Sequence, residues 1–299
     1  ATSAGLAIEG SGNDPDHRSQ LLVAASPRNE IADTHWYRAE FDQFLAHQAL
    51  AAGVEYLDQA DLRSLEIGPS TAKVRGARDG VEFVIRAKFL IDATGPRGFV
   101  HRALGLPELP FDNLPLTEGL YSHFADVRRW DAIHPTDEPP PYPVDDAALH
   151  HVFDGGWIWM LRFNNGITSA GVAGTKKLAR EIRFEEGQAA WQRLLNRLPS
   201  VREQFTGAAP ELSFVHAPRL SFRSGSVSGR QFALLPSAAG FVDPLLSTGF
   251  ALTLLGIHRL GLALEEAWET PRWEASLKIY STDTQDELLA AERLVAALY

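Results

Sequence analysis

The segment from Leu234 to Leu264 constrains the fold more than any other part of the sequence, and it reads LLPSAAGFVDPLLSTGFALTLLGIHRLGLAL. An apolar run at 232–235 predicts a short strand, Asp243-Pro244 predicts a tight turn, and the apolar pattern after Ser247-Thr248-Gly249 predicts a helix. Such a turn presents unpaired backbone N–H groups at the positive end of a helix dipole, where an anion or an electron-rich heterocycle binds. The residues alone leave two interpretations open, a ligand-binding turn or an ordinary strand–loop–helix connection.

A second candidate lies in FLIDATGPRG, from Phe89 to Gly98. The continuous apolar run predicts a buried parallel strand that ends at Asp92-Ala93-Thr94-Gly95. Because Gly95 has no Cβ, the backbone here can approach a ligand closely. The alternative is a plain strand terminus.

A third candidate is Arg38 in HWYRAEFDQFL. The spacing predicts a helix over Ala39–Ala52, ended by Gly53, with Phe41 and Phe44 in the core. A guanidinium at the start of this helix can make bidentate bonds to a pyrophosphate. The alternative is a surface ion pair with Glu40 or Asp42.

Two tryptophans mark a fourth candidate, GGWIWMLRF. Trp157 and Trp159 alternate with Ile158, so both indoles lie on one face of a predicted strand. Paired aromatic rings that face a cavity can hold a planar substrate, and ordinary packing is the alternative.

These motifs together resemble a known family. AAGFVDPLLSTG is similar to the second flavin motif of the FAD-dependent oxidoreductases related to tryptophan halogenases and geranylgeranyl reductases, and the other three segments follow in the order that this family shows. The resemblance extends from about Gln20 onward. It implies a set of FAD-binding residues: Arg38, Asp92, Ala93, Thr94, Gly95, Ser237, Asp243, Pro244, Ser247, Thr248, Gly249 and Phe250. It also implies a substrate pocket at Trp157 and Trp159, and halide binding at Thr248 and Gly249.

The sequence departs from the family pattern at several points. Leu161 and Arg162 stand where the W-x-W-x-I-P signature of flavin-dependent halogenases has Ile and Pro, which favours the wider oxidoreductase family. Ser237 stands where relatives often have Asp or Asn. No strand followed by G-x-G-x-x-G precedes these motifs, so we expect the interior of a longer protein. No lysine occupies a matching motif, which leaves the catalytic residue unknown; the lysines considered are Lys73, Lys88, Lys176, Lys177 and Lys278.

Composition limits the function classes. The 299 residues carry a formal net charge of −10, which argues against nucleic acid as a partner. The chain has no cysteine, and its ten histidines show no metal-ligand spacing, so we expect neither a disulfide nor a metal site. No signal peptide and no apolar run long enough for a membrane span are visible, so the expectation is a cytoplasmic protein.

The pattern of elements predicts an α/β protein: a Rossmann-like, three-layer FAD/NAD(P)-binding fold, incomplete at the N-terminus, with an inserted sheet-based substrate domain. We expect a partial FAD-binding domain at 1–113, the substrate domain at 114–223, a return to the FAD-binding domain at 224–264 and a helical segment at 265–299. Individual elements are also predicted: strands at 20–25, 54–59, 72–77 and 81–86, a proline-rich loop at 139–143, a hairpin around Asn164-Asn165-Gly166, an amphipathic helix at 180–198 and a last helix at 274–298.

By resemblance, the expected function is a flavin-dependent oxidoreductase, similar to halogenases and monooxygenases. It would act on an organic small molecule, with aromatic compounds among the candidates, through reduced FAD and oxygen. A separate flavin reductase is the implied partner. The alternative is a truncated or degenerate relative that keeps the fold but neither binds FAD nor catalyses a reaction.

Overall fold

A computed structural model describes Arg28, residues 34–135 and residues 142–299. These residues divide into two compact units. The first unit combines the described residues up to Val54 with Thr117–Arg219, and the second combines Glu55–Leu116 with Leu220–Tyr299. The strand predicted at 20–25 and Pro139-Pro140-Pro141 of the predicted loop lie outside the described residues.

The helices and strands follow one another along the chain in this order: α1 (Arg38–Ala51), β1 (Asp61–Ile67), β2 (Ala72–Arg78), β3 (Val81–Ala87), β4 (Leu90–Asp92), α2 (Phe99–Ala103), β5 (Thr117–Ala125), α3 (Trp130–Ile133), β6 (Leu149–Phe153), β7 (Gly156–Arg162), β8 (Thr168–Thr175), α4 (Lys176–Ile182), α5 (Gln188–Arg197), α6 (Pro199–Gln204), β9 (Ala209–Pro210), β10 (Val215–Ala217), β11 (Phe222–Arg223), β12 (Ser228–Gly229), β13 (Phe232–Leu234), α7 (Pro236–Ala239), β14 (Gly240–Phe241), α8 (Thr248–Ala267) and α9 (Trp273–Ala296).

The first unit is built on an antiparallel sheet with strand order β10-β5-β8-β7-β6, to which β9 adds at the end of β5. Alternate residues of β7 point to opposite faces of this sheet. Ile158 and Met160 therefore enter a core that also contains Trp191 and Leu194 of α5. The predicted hairpin is confirmed as β7 and β8, with Gly166 at φ 85° in the turn.

Two predictions in the first unit are wrong. The helix expected over 180–198 is split into α4 and α5, because Arg183 and Gly187 have φ values of 63° and 60°. This break turns Phe184 into the core. The helix at α1 exists, but Phe44 is 55% exposed and Phe41 stacks on Trp36, since no described helix or strand packs closely along α1.

The second unit contains a parallel strand pair beside two long helices. β4 pairs in parallel with β13, which pairs in turn with β12. The chain continues from β13 through α7 and β14 into α8, as the apolar pattern predicts. The core of this unit includes Leu234, Leu260 of α8 and Tyr280 of α9.

The second unit also holds a separate antiparallel sheet with strand order β1-β2-β3. The strand predicted at 54–59 is wrong, because Val54 and Tyr56 are exposed and the chain turns at Gln59, where φ is 52°. The strand is instead β1, whose Leu65 reaches the core. No helix of the described chain is both long enough and apolar enough to cross a membrane.

A buried ion pair fastens a loop to the sheet of the first unit. The Asp145 side chain is 1% exposed and accepts hydrogen bonds from the backbone N–H groups of Trp130 and Asp131 and from Arg162 Nε at 2.9 Å. Arg162 also donates to the carbonyl of Val127 at 2.8 Å. Arg162, which departs from the sequence signature, is therefore a structural anchor at the end of β7.

We expect Asp145→Ala to lower the free energy of unfolding by about 3–5 kcal/mol, because it leaves buried donors and a guanidinium without their acceptor. Urea unfolding followed by circular dichroism measures this change. The matched control is Asp42→Ala, which removes an exposed pair with Arg38 and should change the same free energy by less than about 0.5 kcal/mol. Equal effects of the two substitutions would contradict the anchoring role.

Candidate functional site

The turn that leads into α8 is fixed from behind by close packing. A Cβ at Gly256 would lie 2.3 Å from Pro236 Cγ, so only glycine lets α8 approach α7 this closely. The Tyr280 hydroxyl donates to the carbonyl of Leu234 at 2.7 Å. Burial raises the pKa of Tyr280 to about 12, so this donor stays protonated at neutral pH. The start of α8 is therefore held in one position.

Asp243 shapes the turn itself. It is buried, its Oδ1 accepts from the N–H of Leu245 at 2.9 Å, and its Oδ2 accepts from the Tyr299 hydroxyl at 3.0 Å. The first contact forms an Asx-turn. The Asp243 carboxylate thus holds the loop in shape. Tyr299, which lies outside the predicted motif, positions this carboxylate.

The first turn of α8 is open to a ligand. Ser247, at φ 51°, provides no side-chain cap for the helix. A Cβ built on Gly249 would meet no atom within 4 Å. Thr248 and Gly249 also line a small cavity with Gly240, Asp243 and Leu252. The backbone N–H groups at this positive helix end can therefore be approached directly.

The end of β4 supplies a second candidate loop. Asp92 is buried and accepts from the N–H groups of Thr94 and Val100, both at 2.8 Å, and from the Thr94 hydroxyl at 2.6 Å. Asp92 therefore organises the loop. Gly95, at φ 81°, has open space at its Cβ position, whereas a Cβ on Gly98 would lie 2.0 Å from Thr94 Oγ1. This need for glycine at position 98 was not predicted, and the only signal for it in the sequence is the G-P-R-G spacing.

The sheet places the end of β4 beside the start of α7. Leu234 lies opposite Asp92 in the parallel register, and the N–H of Leu235 donates to the carbonyl of Asp92 at 2.9 Å. Parallel strands end at the same edge, which is where α/β proteins bind ligands. Residues 92–95 and half-buried Ser237 of α7 thus lie at one sheet edge, and α8 packs on the same α7 through Gly256 and Pro236. A single cofactor site formed by 92–95, Ser237 and 243–250 stays a prediction. Two open glycines and a helix N-terminus fit a flat, electron-rich ligand such as the flavin that the resemblance implies.

Arg38 is a different case. It belongs to the first unit, its side chain is 74% exposed, and it forms a bidentate ion pair with Asp42, with Nε 2.6 Å from Oδ1. The hydrogen bond to Asp42 raises the pKa of Arg38. This is the surface pair that the sequence left open, and a contact of Arg38 with a cofactor stays a prediction.

The two tryptophans of β7 belong to an aromatic cluster in the first unit. Their ring centroids are 5.8 Å apart and their planes are tilted by 54°, so the rings contact each other and leave no slot for a planar molecule between them. Trp157 is 3% exposed and lies 4.8 Å from His150, while the half-buried Trp159 lies 6.0 Å from Tyr121.

The cross-strand register explains this cluster. A Cβ on Gly171 would lie 2.3 Å from Trp159 Cζ2, so the glycine makes room for the indole over β8. His150, Trp159, Gly171 and Tyr121 follow one another across the strands β6, β7, β8 and β5. Only the tryptophan of this row was a predicted site residue, because the register between strands cannot be read from the pattern of one strand. Contact of Trp157 and Trp159 with a substrate stays a prediction.

Two further histidines have structural partners. His151 Nε2 lies 2.9 Å from the Gln204 amide nitrogen, and His216 Nε2 lies 2.9 Å from Glu118 Oε2. Within the described ranges no group of three or more His, Asp or Glu side chains is placed to hold a metal ion.

Comparison with known sequences gives consistent results. A sequence model of the family described as tryptophan halogenase matches residues 32–299. The tetracycline 7-halogenase of Kitasatospora aureofaciens is 28% identical over 293 residues, which cover 94% of this chain and 51% of that protein. The monodechloroaminopyrrolnitrin halogenase PrnC of Pseudomonas fluorescens is 27% identical over 286 residues, which cover 94% of this chain and 49% of that protein. The chain thus spans about half the length of the curated relatives it matches.

Solved structures show the same fold. The halogenase PltM in complex with phloroglucinol and FAD matches with a TM-score of 0.80 and 26% identity, over 96% of this chain and 57% of that chain. The myxobacterial chondrochloren halogenase CndH, an FAD-dependent halogenase, matches in fold with a TM-score of 0.77 and 22% identity, over 93% of this chain and 63% of that chain. The α/β fold class expected from the sequence is confirmed.

The aromatic cluster generates a pH prediction. Burial lowers the pKa of His150 from 6.5 to about 4. The unfolded chain therefore binds this proton first, so the stability of the folded protein falls as the pH falls from 6.5 toward 4. Between about pH 7.5 and pH 5, we expect the free energy of unfolding to fall by about 2 kcal/mol less in His150→Phe than in the wild type. The substitution keeps a ring beside Trp157 but removes the group that titrates. Urea unfolding of both proteins at the two pH values measures the difference, and parallel pH profiles would contradict the prediction.

Proposed function

This chain belongs to the tryptophan halogenase family, and we propose that it functions as an FAD-dependent oxidoreductase that halogenates an organic, aromatic small molecule. The observation that carries the proposal is the open start of α8 at Gly249, together with the open position of Gly95 at the end of β4. Relatives whose names describe flavin-dependent halogenases, and the structure of PltM with FAD, support the cofactor and the reaction class.

The residues of the chain have distinct roles in this proposal. The N–H groups of Thr248 and Gly249 bind the electron-rich part of the cofactor or a halide ion, aided by the helix dipole. Asp243 and Asp92 hold the two loops in shape through their buried hydrogen bonds. Ser237 offers a hydroxyl for a ribityl hydrogen bond. FAD, when bound, supplies the redox chemistry that no side chain provides.

The substrate is expected to be aromatic. Trp159 is the more accessible of the two indoles, and with Tyr121 it forms an apolar aromatic surface. His150 stays neutral near pH 7 because its pKa is about 4, so it adds no charge to this surface. Such a surface favours planar, uncharged rings. A separate flavin reductase is the proposed source of reduced FAD.

A second candidate function has one supporting observation. Ser237 replaces the acidic or amide side chain that similar proteins often carry, and a hydroxyl makes weaker hydrogen bonds than a carboxylate. A relative that keeps the fold without binding FAD would fit this change.

Visible absorbance separates the two functions. We expect purified protein that has been mixed with FAD and passed through a desalting column to keep a flavin band with shifted maxima. Turnover with a flavin reductase, NADH, chloride or bromide, and phloroglucinol then tests halogenation. A colourless protein whose melting temperature does not change with FAD would favour the non-catalytic relative.

Gly249→Ala tests where the cofactor binds. The added Cβ meets no protein atom, and alanine stabilises a helix relative to glycine by roughly 0.5–1 kcal/mol, so the melting temperature should not fall. We expect the Kd for FAD to rise at least tenfold, about 1.4 kcal/mol, because the methyl group occupies the approach to the helix start. Flavin fluorescence titration measures Kd.

The matched control is Gly261→Ala, in the same helix and also with open space at Cβ. It should leave the Kd for FAD unchanged. Equal Kd values for the two variants would place FAD away from Gly249.

A further inference from the structure

The outer strand of the three-stranded sheet in the second unit has an exposed, β-rich edge. Among the described strands β3 pairs only with β2, and its Val81, Val84 and Ile85 are 70%, 43% and 46% exposed. An open edge with β-branched side chains is a template for pairing with another strand. Edges of this kind are usually blocked by charges, so the positions of the charges on β3 decide what it can pair with.

The hairpin fixes which backbone groups of β3 face outward. Asp79 and Gly80 have φ values of 52° and 79°, which is a two-residue type I′ turn, and Arg78 lies opposite Val81. In such a hairpin the closing pair is hydrogen-bonded, and hydrogen-bonded pairs then alternate along the strands. Val81, Phe83, Ile85 and Ala87 therefore bond to β2, while the N–H and C=O groups of Glu82, Val84 and Arg86 point away from the sheet.

The side chains of β3 alternate between the two faces of the sheet. Phe83 and Ile85 lie on the face of the sheet that contains Val74 and Leu65 of the core. Glu82, Val84 and Arg86 lie on the opposite, charged face, where Glu66 pairs with Lys73 and Arg75. One face of β3 is thus apolar and the other is charged, except that Val84 lies on the charged face between Glu82 and Arg86.

Two copies of β3 are complementary to each other when they pair in antiparallel orientation. In an antiparallel pair of two β3 strands centred on Val84, Glu82 lies opposite Arg86 of the second copy, Phe83 lies opposite Ile85, and the two valines face each other. The pairs that hydrogen-bond between the two copies are Val84 with Val84 and Glu82 with Arg86. These are the residues whose N–H and C=O groups point away from β2. Arg86 makes no ion pair within the residues that the structure describes, and Glu82 has only a water-exposed contact of 3.5 Å with Arg63. Both charges are available for the second copy.

We propose that β3 is a homodimerisation edge, at which a second copy of this chain adds antiparallel to Val81–Ala87 and extends the sheet from three strands to six. The interface has twofold symmetry, so each cross-strand charge pair occurs twice. It is formed by seven residues from each copy, which makes it small, and we therefore expect a concentration-dependent dimer. The proposal does not depend on the proposed enzymatic function.

Sedimentation velocity of the full chain over a range of concentrations, at low salt, tests the dimer. The wild type should shift from monomer to dimer with rising concentration. Glu82→Arg and Arg86→Glu each place like charges opposite one another twice, so each variant should need at least a tenfold higher concentration to dimerise. An equimolar mixture of these two variants restores both charge pairs and should dimerise like the wild type.

Two further variants keep the result interpretable. Val84→Pro removes an outward N–H without removing a bond to β2, and it should abolish the dimer. Glu211→Arg makes the same charge change at an exposed position of the first unit and should leave the dimer unchanged. Thermal unfolding confirms that each variant is folded. A wild type that stays monomeric, or a dimer that is insensitive to the Glu82 and Arg86 substitutions or is not restored by mixing, would overturn the proposal.

Discussion

The parallel pairing of β4 with β13 is the constraint on which the candidate site depends. These strands are far apart in sequence, and their register places Asp92 opposite Leu234. Because both strands end at the same edge, the loop of Gly95 begins beside the start of α7, and α8 packs on α7 through Gly256 and Pro236. Without this pairing, each loop would be an ordinary strand terminus, which is the alternative that the residues alone left open.

The acidic residues of the two loops act on the backbone. Asp92 and Asp243 are both buried, and both use their oxygens to hold N–H groups of their own loops. The surface that remains for a ligand consists of glycine Cα positions and backbone N–H groups at a helix start. This division is physically reasonable, since a carboxylate facing a phosphate or a halide would repel it, whereas a helix N-terminus attracts it.

Local features were predictable from the sequence, and long-range ones were not. The turn at 243–249, α8 and the β7–β8 hairpin follow from apolar spacing and from glycine, and the structure contains them. The break at Arg183 was hidden, because a non-glycine residue with positive φ has no sequence signal of its own. The exposure of Phe44 and the row from His150 to Tyr121 depend on which elements pack together. Periodicity identifies an apolar face but does not say what covers it.

Arg162 stands where the signature of flavin-dependent halogenases has proline, and it fixes the end of β7 through its side chain. A proline at the end of a strand fixes φ and removes a hydrogen-bond donor, and so ends the pairing. Arg162 is instead the last residue of β7, and its guanidinium bonds to Asp145 and to the carbonyls of Val127 and Arg128. The strand end is thus fastened through a side chain with five donors. Trp157 and Trp159 lie on the sheet a few residues before this fastened strand end.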